Sequence, residues 1–295
     1  MGRPLRRLAP ALAMAMVGLA LSLSGCGNTP ASQQLSAPLP AEGSLAWALT
    51  GDWRLDPDRD AARHPAETLT FFGLAPGHTV IEIYPGRGWY TSILAPYLAA
   101  NGGTLYAATF PQSDGAEAVA TRAALMERLE ARPEVFGKVV ITEIGPGQLE
   151  IAPPGSADLI LVMRNVHTLM AKSFAEDAFK AFYTALKPGG VLGIEEHRGR
   201  ASGLQDPKAG DGYVQEAYVK TLALEAGFVF EEASEINANP KDKKDHPFGV
   251  WTLPPVLASA PLGAPPDPSF DHGPYRAIGE SDRMTLKFRK QVRAQ

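Results

Sequence analysis

Residues 80–90 read VIEIYPGRGWY, and this stretch decides the fold. An apolar run that contains one acid, Glu82, passes into a turn that carries Gly86 and Gly88. Such a run is typical of a buried strand, and the glycines let the backbone turn sharply into a following helix. In open α/β sheets, a nucleotide-type cofactor usually binds at this kind of turn. Tyr84 stands at the first position of the turn, where a glycine is expected.

Outward from this turn, strand and helix patterns alternate along the chain. Apolar runs predict seven strands, at residues 78–84, 103–110, 138–145, 157–164, 191–197, 228–236 and 283–290. Helical patterns lie at 59–74, 89–99, 116–131, 175–186 and 212–227, with a turn at 187–190. This alternation predicts a parallel sheet covered on both faces. A long insertion, 237–282, favours a hairpin return, so we expect an α/β, doubly wound, seven-stranded sheet whose last strand is antiparallel.

The first 25 residues have the pattern of an export signal. Three arginines precede an apolar run that is too short for a comfortable membrane span. The run ends in LSGC, residues 23–26, which resembles the lipobox of bacterial lipoproteins. The resemblance implies a signal peptide at 1–25 and a lipidated Cys26, and the alternative is an ordinary secretory signal. Gly27 stands where retention in the inner membrane would want Asp, which favours a lipid anchor in the outer membrane, facing the periplasm.

The composition of the mature chain excludes several classes of site. Cys26 is the only cysteine, so the mature part has neither a disulfide nor a thiolate nucleophile. Without the three leader arginines, 25 basic residues face 32 acidic ones, and there is no long basic run. A nucleic-acid substrate is therefore not expected. Residues 26–44 are rich in Pro, Ser, Ala and Gln and predict a flexible tether, which leaves one domain at 45–295.

Three motifs in order resemble the class I S-adenosylmethionine (SAM)-dependent methyltransferases, over roughly residues 60–290. The first is the acid and turn at 82–88, and the second is ADLILVMRNVHTL at 157–169. The third is LKPGGVLGI at 186–194. More narrowly, segments such as GWYTSILAPYL, RNVHTL and IGESDRMTLKF resemble a group of bacterial proteins described only as predicted methyltransferases. The resemblance implies a Rossmann-like fold and SAM as cofactor.

The resemblance also implies which residues touch the cofactor, and two of them depart from the family pattern. The cofactor-binding candidates are Glu82, Tyr84, Gly86, Gly88 and Thr109. A side chain at Tyr84 either lines the pocket or fills part of it. Strand two ends in Thr109 where the family usually has an acid, and one hydroxyl cannot replace a bidentate carboxylate on a ribose.

Polar side chains follow strands four and five, where this fold places catalytic groups. The candidates are Arg164, Asn165, His167, Glu196, His197 and Arg198. We expect them to meet at one rim, with His167 as first choice of general base and His197 as second. Glu196 would orient the histidine, and the arginines would hold an anionic substrate. The rival use of His167, Glu196 and His197 is a zinc or iron site, although no tight ligand motif is present.

Two functions from different classes follow from the sequence. The first is a SAM-dependent methyltransferase that acts on a small or lipid-linked acceptor. The second is an exported module that kept the fold, lost SAM, and works as a binding protein or as a different, metal-assisted enzyme. The glycine turn favours the first, and the compartment favours the second because SAM is a cytoplasmic metabolite.

Overall fold

A computed structural model describes residues 39–292 of the chain. The predicted signal peptide, Cys26 and most of the tether lie outside the described residues. Ten α-helices are described within 39–292: α1 (Leu45–Thr50), α2 (Asp60–Arg63), α3 (Pro65–Phe71), α4 (Thr91–Ala100), α5 (Ala116–Ala131), α6 (Pro133–Phe136), α7 (Val166–Ala171), α8 (Ala175–Ala185), α9 (Glu216–Glu225) and α10 (Gly273–Ile278). Within the same range, no helix has both the length and the apolar character needed to cross a bilayer.

Seven strands form one sheet, and the predicted fold class is confirmed. The strands are β1 (Thr79–Ile83), β2 (Thr104–Thr109), β3 (Val139–Glu143), β4 (Ala157–Met163), β5 (Leu186–His197), β6 (Phe228–Ser234) and β7 (Arg283–Lys290). Their order across the sheet is β3-β2-β1-β4-β5-β7-β6. Strand β7 runs antiparallel to both β5 and β6, and the other neighbouring pairs are parallel. The order reverses between β1 and β4, which is where ligands bind in such sheets.

The apolar alternation along β1 explains why both faces of the sheet are covered. Ile81 and Ile83 belong to a core cluster that includes Phe179 and Phe182 of α8. Val80 belongs to a second cluster on the other face, built with α1, α3 and α4. Successive strand residues point to opposite faces, so each face receives its own set of helices. Each fully buried Phe contributes about 1.5–3 kcal/mol to this packing.

Asp158, which opens β4, joins three strands at the amino end of the sheet. Its carboxylate accepts a hydrogen bond from the Thr79 N–H at 2.8 Å and lies 2.7 Å from Lys187 Nζ. Partial burial acts to raise the pKa of Asp158, but Lys187 and the Thr79 N–H outweigh it and hold the pKa below its usual value. This residue of the second motif is therefore a structural clamp, at the end of the sheet opposite the candidate site.

Two of the local differences from the sequence prediction are larger than a shift of a few residues at an element's end. The helix predicted at 59–74 is broken at His64, which has a φ of 42°. Pro65 follows, and a proline disfavours the helical conformation of the preceding residue. The turn predicted at 187–190 is part of β5, which begins at Leu186 and pairs with Ala157 ahead of a register shift.

Candidate active site

In the turn after β1, Gly86 borders open space and Gly88 is tightly packed. Both glycines have positive φ angles, 58° and 92°, which side chains rarely adopt. A Cβ atom added to Gly86 would meet nothing within 4 Å, so the backbone there borders open space. A Cβ atom at Gly88 would lie 2.8 Å from Leu125 Cδ1 of α5. Gly88 is therefore needed for helix packing, and Gly86 leaves room for a ligand.

The ring of Tyr84 lies over the ends of β2 and β3. The phenol donates a hydrogen bond to the Ile144 carbonyl at 2.9 Å, and the ring stacks on Phe110 with centroids 3.8 Å apart. Phe110 follows β2 and Ile144 follows β3, so the two rings cover that part of the edge. Burial raises the pKa of Tyr84, which keeps the phenol neutral. Its φ of 49° shows that the position still has the conformation of a glycine.

Thr109 has its hydroxyl engaged within the sheet. Its Oγ1 donates to the Thr142 carbonyl of β3 at 3.0 Å, and the residue is buried. The Thr109 hydroxyl, which the sequence analysis considered as a ribose ligand, is thus bonded to the main chain. Neither the Thr109 hydroxyl nor the Tyr84 hydroxyl is therefore free for a ribose at the end of β2.

Glu82 is a buried acid with a single side-chain donor. Thr91 Oγ1 of α4 donates to its carboxylate at 2.6 Å. Burial raises the pKa of Glu82 to about 7, against the opposing effects of Thr91 and Arg164. The carboxyl group is consequently close to half-charged at neutral pH, and a cationic ligand group nearby would complete its ionisation.

His167 and Glu196 form an oriented pair at the ends of β4 and β5. The Nδ1 atom of His167 lies 3.0 Å from Glu196 Oε1. The same carboxylate accepts the N–H groups of Val166 and His167 at the start of α7, and that of His197. A buried carboxylate on Nδ1 fixes the tautomer with the proton on Nδ1, so Nε2 is left as the proton acceptor. This is the arrangement that a general base requires.

His197 lies beside this pair but has another partner. The two imidazole rings have centroids 5.4 Å apart, and His197 Nδ1 lies 2.6 Å from Ser281 Oγ. Burial, with the neighbouring His167 and the positive charges of Arg164 and Arg283, holds the pKa of His197 well below its usual value. It is therefore neutral at physiological pH. Glu196 contacts the His197 main chain and orients the ring of His167, not that of His197.

The three side chains are also close enough to hold a metal ion. His167, Glu196 and His197 each bring one ligand atom within 4.8 Å of the others, and this is the only such cluster found among residues 39–292. The carboxylate of Glu196 already accepts four hydrogen bonds. That saturation suits a residue that orients a histidine better than one that coordinates an ion.

The arginine of the same loop belongs to a separate cluster. Arg164 Nη1 lies 2.8 and 2.9 Å from the two oxygens of buried Glu195. Arg283 Nε lies 3.2 Å from the same carboxylate, and the Tyr90 hydroxyl donates to it at 3.3 Å. Glu195 and Glu196 are consecutive strand residues, so their side chains leave β5 in opposite directions. The single rim predicted from sequence is in fact two clusters.

Two other predicted residues have structural contacts. Asn165 Nδ2 donates to the carbonyls of Ile83 at 3.2 Å and Met163 at 3.0 Å, which ties the end of β1 to the end of β4. Arg198 lies 2.8 Å from Glu235, near the end of β6, and the structure does not place its guanidinium with the histidines. We assign neither residue a role in chemistry.

A cavity of about 510 Å³ lies against the glycine turn. Its lining comes from the turn, the end of β4 and the segment before α3: Leu55, Asp56, Arg59, Arg63, Tyr84, Pro85, Gly86, Arg87, Trp89, Met163, Arg164 and Asn165. Sequence reasoning missed Arg59 and Arg63. Their spacing of four residues in a predicted helix puts them on one face and was the available signal.

The insertion at 237–282 forms a wall beside the histidines. The Trp251 ring lies edge-on to His167 with centroids 6.1 Å apart. Buried Asp242 accepts the Tyr213 hydroxyl at 3.0 Å and lies 2.8 Å from His246 Nε2. Tyr213 in turn lies 6.4 Å from His197. The insertion is thus packed onto the body through side chains next to the candidate base.

Comparison with known proteins identifies the fold. No family model and no curated protein sequence matches the chain. Many solved structures do match, among them the [4+2]-cyclase SpnF, which is 16% identical, has a TM-score of 0.53, and matches over 83% of this chain and 86% of the cyclase. The fold is that of the class I methyltransferases.

Two further matches are SAM-dependent methyltransferases. The Aquifex aeolicus enzyme is 21% identical with a TM-score of 0.48, over 62% of this chain and 88% of that enzyme. The Mesorhizobium loti enzyme is 15% identical with a TM-score of 0.45, over 77% and 97%. At such identities the similarity concerns the fold, and the reaction has to be argued from the site.

Proposed function

We propose that the protein is a SAM-dependent methyltransferase that acts on a small or lipid-linked acceptor, with His167 as general base. The observation that carries this proposal is the open cavity at Gly86, whose lining includes Asn165, two positions before the oriented base His167. In this fold, that turn is where SAM is held. SAM, when bound, supplies an electrophilic methyl group.

The residues around the turn fit one end of SAM better than the other. Glu82 and the open backbone at Gly86 suit the amino acid end. The nucleoside end would need the region beyond β2, which Tyr84 and Phe110 fill and where Thr109 is already bonded. Binding of SAM therefore requires the Tyr84 ring to leave its stack.

The chain's own groups can move the acceptor proton. The Nε2 atom of His167 is free to accept a proton, and Glu196 then stabilises the imidazolium through Nδ1. Neutral His197 adds no opposing charge nearby. Trp251 and the rest of the insertion limit access of water on that side, which strengthens the interaction between the carboxylate and the charged imidazole.

The stacked pair favours a second candidate function. An exported module that kept the fold without SAM would use the same base on another substrate, or only bind a ligand. A filled nucleoside region is what such a module would show, and it is a specific feature of Tyr84 and Phe110. Metal-assisted chemistry at His167, Glu196 and His197 belongs to this second candidate.

Calorimetry with SAM and its demethylated product separates the two functions. Because the Tyr84 ring occupies the nucleoside region, we expect Tyr84→Gly to strengthen SAM binding about tenfold. Glycine also suits the positive φ at this position. If neither the wild type nor Tyr84→Gly binds SAM at millimolar concentration, the methyltransferase proposal fails and the second candidate stands.

The base is tested by following methyl-labelled SAM into small molecules and lipids of a membrane extract. His167→Ala should lower the rate about 10²–10⁴-fold without weakening SAM binding, since general bases contribute that much. His78→Ala is the matched control, because His78 lies before β1 at the opposite edge of the sheet. Equal rates in His167→Ala and wild type would exclude His167 as the base.

A further inference from the structure

The cavity beside the glycine turn is lined by more positive than negative side chains. Arg59, Arg63, Arg87 and Arg164 line it, and Asp56 is the one acid among its lining residues. The proposed methyl transfer does not need four guanidinium groups there. SAM carries a positive sulfonium and offers a single carboxylate, so it does not account for four arginines.

The buried part of the arginine cluster has too few carboxylates to neutralise it. Arg59 and Arg63 contact Glu280 at 3.0 and 3.1 Å, and Arg283 contacts it at 2.8 Å. Arg164 depends on Glu195, which Arg283 also contacts. Four guanidinium groups thus share two carboxylates.

Four guanidinium groups and two carboxylates leave a surplus of two positive charges, and the charged groups at the margin of the cluster change it little. The charge of Asp56 cancels that of Arg87, which is exposed and has no partner among the described residues 39–292. Arg54 is neutralised separately by Asp60 at 2.6 Å. Glu82, with its pKa raised to about 7 by burial, removes at most one positive charge. The cluster beside the cavity therefore carries one to two positive charges without a counterion.

Two donors of the cluster, Arg59 Nη2 and Arg283 Nε, are buried without a hydrogen bond to the described residues. Arg59 Nη2 lies 3.0 Å from Glu280 Oε1, but it is not aligned with that oxygen and has no hydrogen-bond partner within the described residues. The same oxygen already accepts from Arg59 Nε and Arg63 Nε. A buried donor of this kind is costly unless a ligand oxygen satisfies it.

The cation next to the turn is held rigidly. The Arg63 guanidinium lies 4.7 Å from the centroid of the Trp89 ring, with Arg54 at 5.5 Å from the same ring. Trp89 Nε1 donates to the Asp56 carbonyl at 3.1 Å, which fixes the indole. A guanidinium positioned in this way loses little entropy when it binds an oxyanion.

We propose that this cavity binds the phosphate group of a phosphate monoester. Guanidinium forks match phosphate oxygens, and a monoester carries about −1.5 to −2 charges at neutral pH, which equals the surplus. The ester can come from a soluble metabolite or from a lipid headgroup with a terminal phosphate. The cavity is the one beside the turn proposed to hold SAM, so a phosphate ester and SAM would compete for it.

Calorimetry of the full-length protein without SAM tests the site, with inorganic phosphate and glycerol 3-phosphate as probes. We expect saturable binding that weakens about tenfold in Arg87→Gln and in Arg59→Gln. Lys180→Gln, an exposed charge on α8, is the matched control and should stay within about twofold. Arg87 is exposed, so its variant should fold, and a thermal melt checks this for both variants.

The outcomes decide between the proposal and its rivals. No saturable binding of either probe at 10 mM (roughly the weak limit for a specific site) overturns it, as does equal weakening by Lys180→Gln. Because SAM is absent, a failure here leaves the methyltransferase proposal intact, and a failure of SAM binding leaves this site intact.

Vesicle flotation separates the two sources of the phosphate. Phosphatidylcholine vesicles with and without phosphatidic acid are compared for wild type and Arg87→Gln, in each case without residues 1–26, which hold the predicted leader and the lipidation site. Flotation that requires phosphatidic acid and is lost in Arg87→Gln supports a lipid headgroup. Flotation that Arg87→Gln leaves unchanged overturns the lipid source, and probe binding without flotation supports a soluble ester.

Discussion

Tyr84 shows how one residue changes a cofactor site without changing the fold. The backbone at this position has a φ of 49°, as a glycine would, and the strand, turn and helix around it are intact. The added ring reaches Phe110 and Ile144 and covers the ends of two neighbouring strands. The sequence revealed the departure from the family pattern, but the direction of the ring depends on contacts made 26 and 60 residues away.

Glu82 makes the stability of the protein depend on pH in an unusual direction. Its folded pKa of about 7 lies above the ordinary value, so the protonated form is favoured by folding. The contribution to stability is complete below pH 4.5 and is lost as the pH rises through 7. Glu82→Gln stays neutral, so at pH 8 it should be more stable than wild type by about 2–3 kcal/mol.

Urea unfolding between pH 4.5 and 8.5 measures this difference. The advantage of Glu82→Gln should vanish at the acid end of the range, because both side chains are then neutral. Glu117→Gln, on an exposed part of α5, should keep the pH profile of wild type. A constant difference between Glu82→Gln and wild type across the range would contradict the raised pKa. If Glu82 binds the cofactor amino group, the same variant should weaken SAM binding.

The strands were predictable from apolar runs, and all seven were found, because a buried strand needs continuous apolar residues that little else in the chain provides. The order of the strands across the sheet was not predicted and comes from the structure. Among the described helices, α1, α6, α7 and α10 were not predicted. The break at His64 was missed because the apolar pattern continues through it. Pro65 was the available signal, since a proline disfavours the helical conformation of the residue before it. The division of the rim follows from strand alternation at Glu195 and Glu196, and it could have been read from the sequence.

Glu280 joins the helix that precedes the sheet to the last strand of the sheet. Arg59 and Arg63 contact it from before and within α2, and Arg283 contacts it from the start of β7. Glu280→Gln would remove the carboxylate partner of Arg59 and Arg63 and leave Arg283 with Glu195 alone, so it should lower the free energy of unfolding by about 3–5 kcal/mol. Urea unfolding at pH 7 gives the loss.

Limited proteolysis shows where the structure opens in this variant. Cleavage should increase within residues 45–63 before it increases in the sheet. Glu225→Gln removes an exposed acid on α9 and should match the wild type in both measurements. Unchanged stability of Glu280→Gln would mean that the arginine cluster is not under the strain of surplus charge that the structure indicates.

At the scale of the whole molecule, the candidate site joins segments that are far apart in the chain. The contact between Arg63 and Glu280 spans 217 residues, and Arg63 lines the cavity beside a turn at Gly86. Ion pairs of this range leave no periodic signal in a sequence, which is why the sequence analysis predicted that His167 and Glu196 meet but not that Arg59 and Arg63 meet Glu280. The histidines were found because they follow strands, and the carboxyl ends of strands meet at one edge.

The compartment of the whole molecule bears on its chemistry, and Cys26→Ala tests it. A lipoprotein is cleaved before its cysteine and anchored through it, so wild type should fractionate with membranes at the mass of the lipidated mature chain. Cys26→Ala should keep its leader and lose the lipid, which mass spectrometry detects.

Gly27→Asp is the matched variant: it should keep the lipid and move the protein from the outer to the inner membrane. Unchanged mass and fractionation in Cys26→Ala would end the lipoprotein proposal. Confirmed export would place the mature chain away from cytoplasmic SAM. A nucleoside region filled by Tyr84 would then agree with a chain that does not meet SAM.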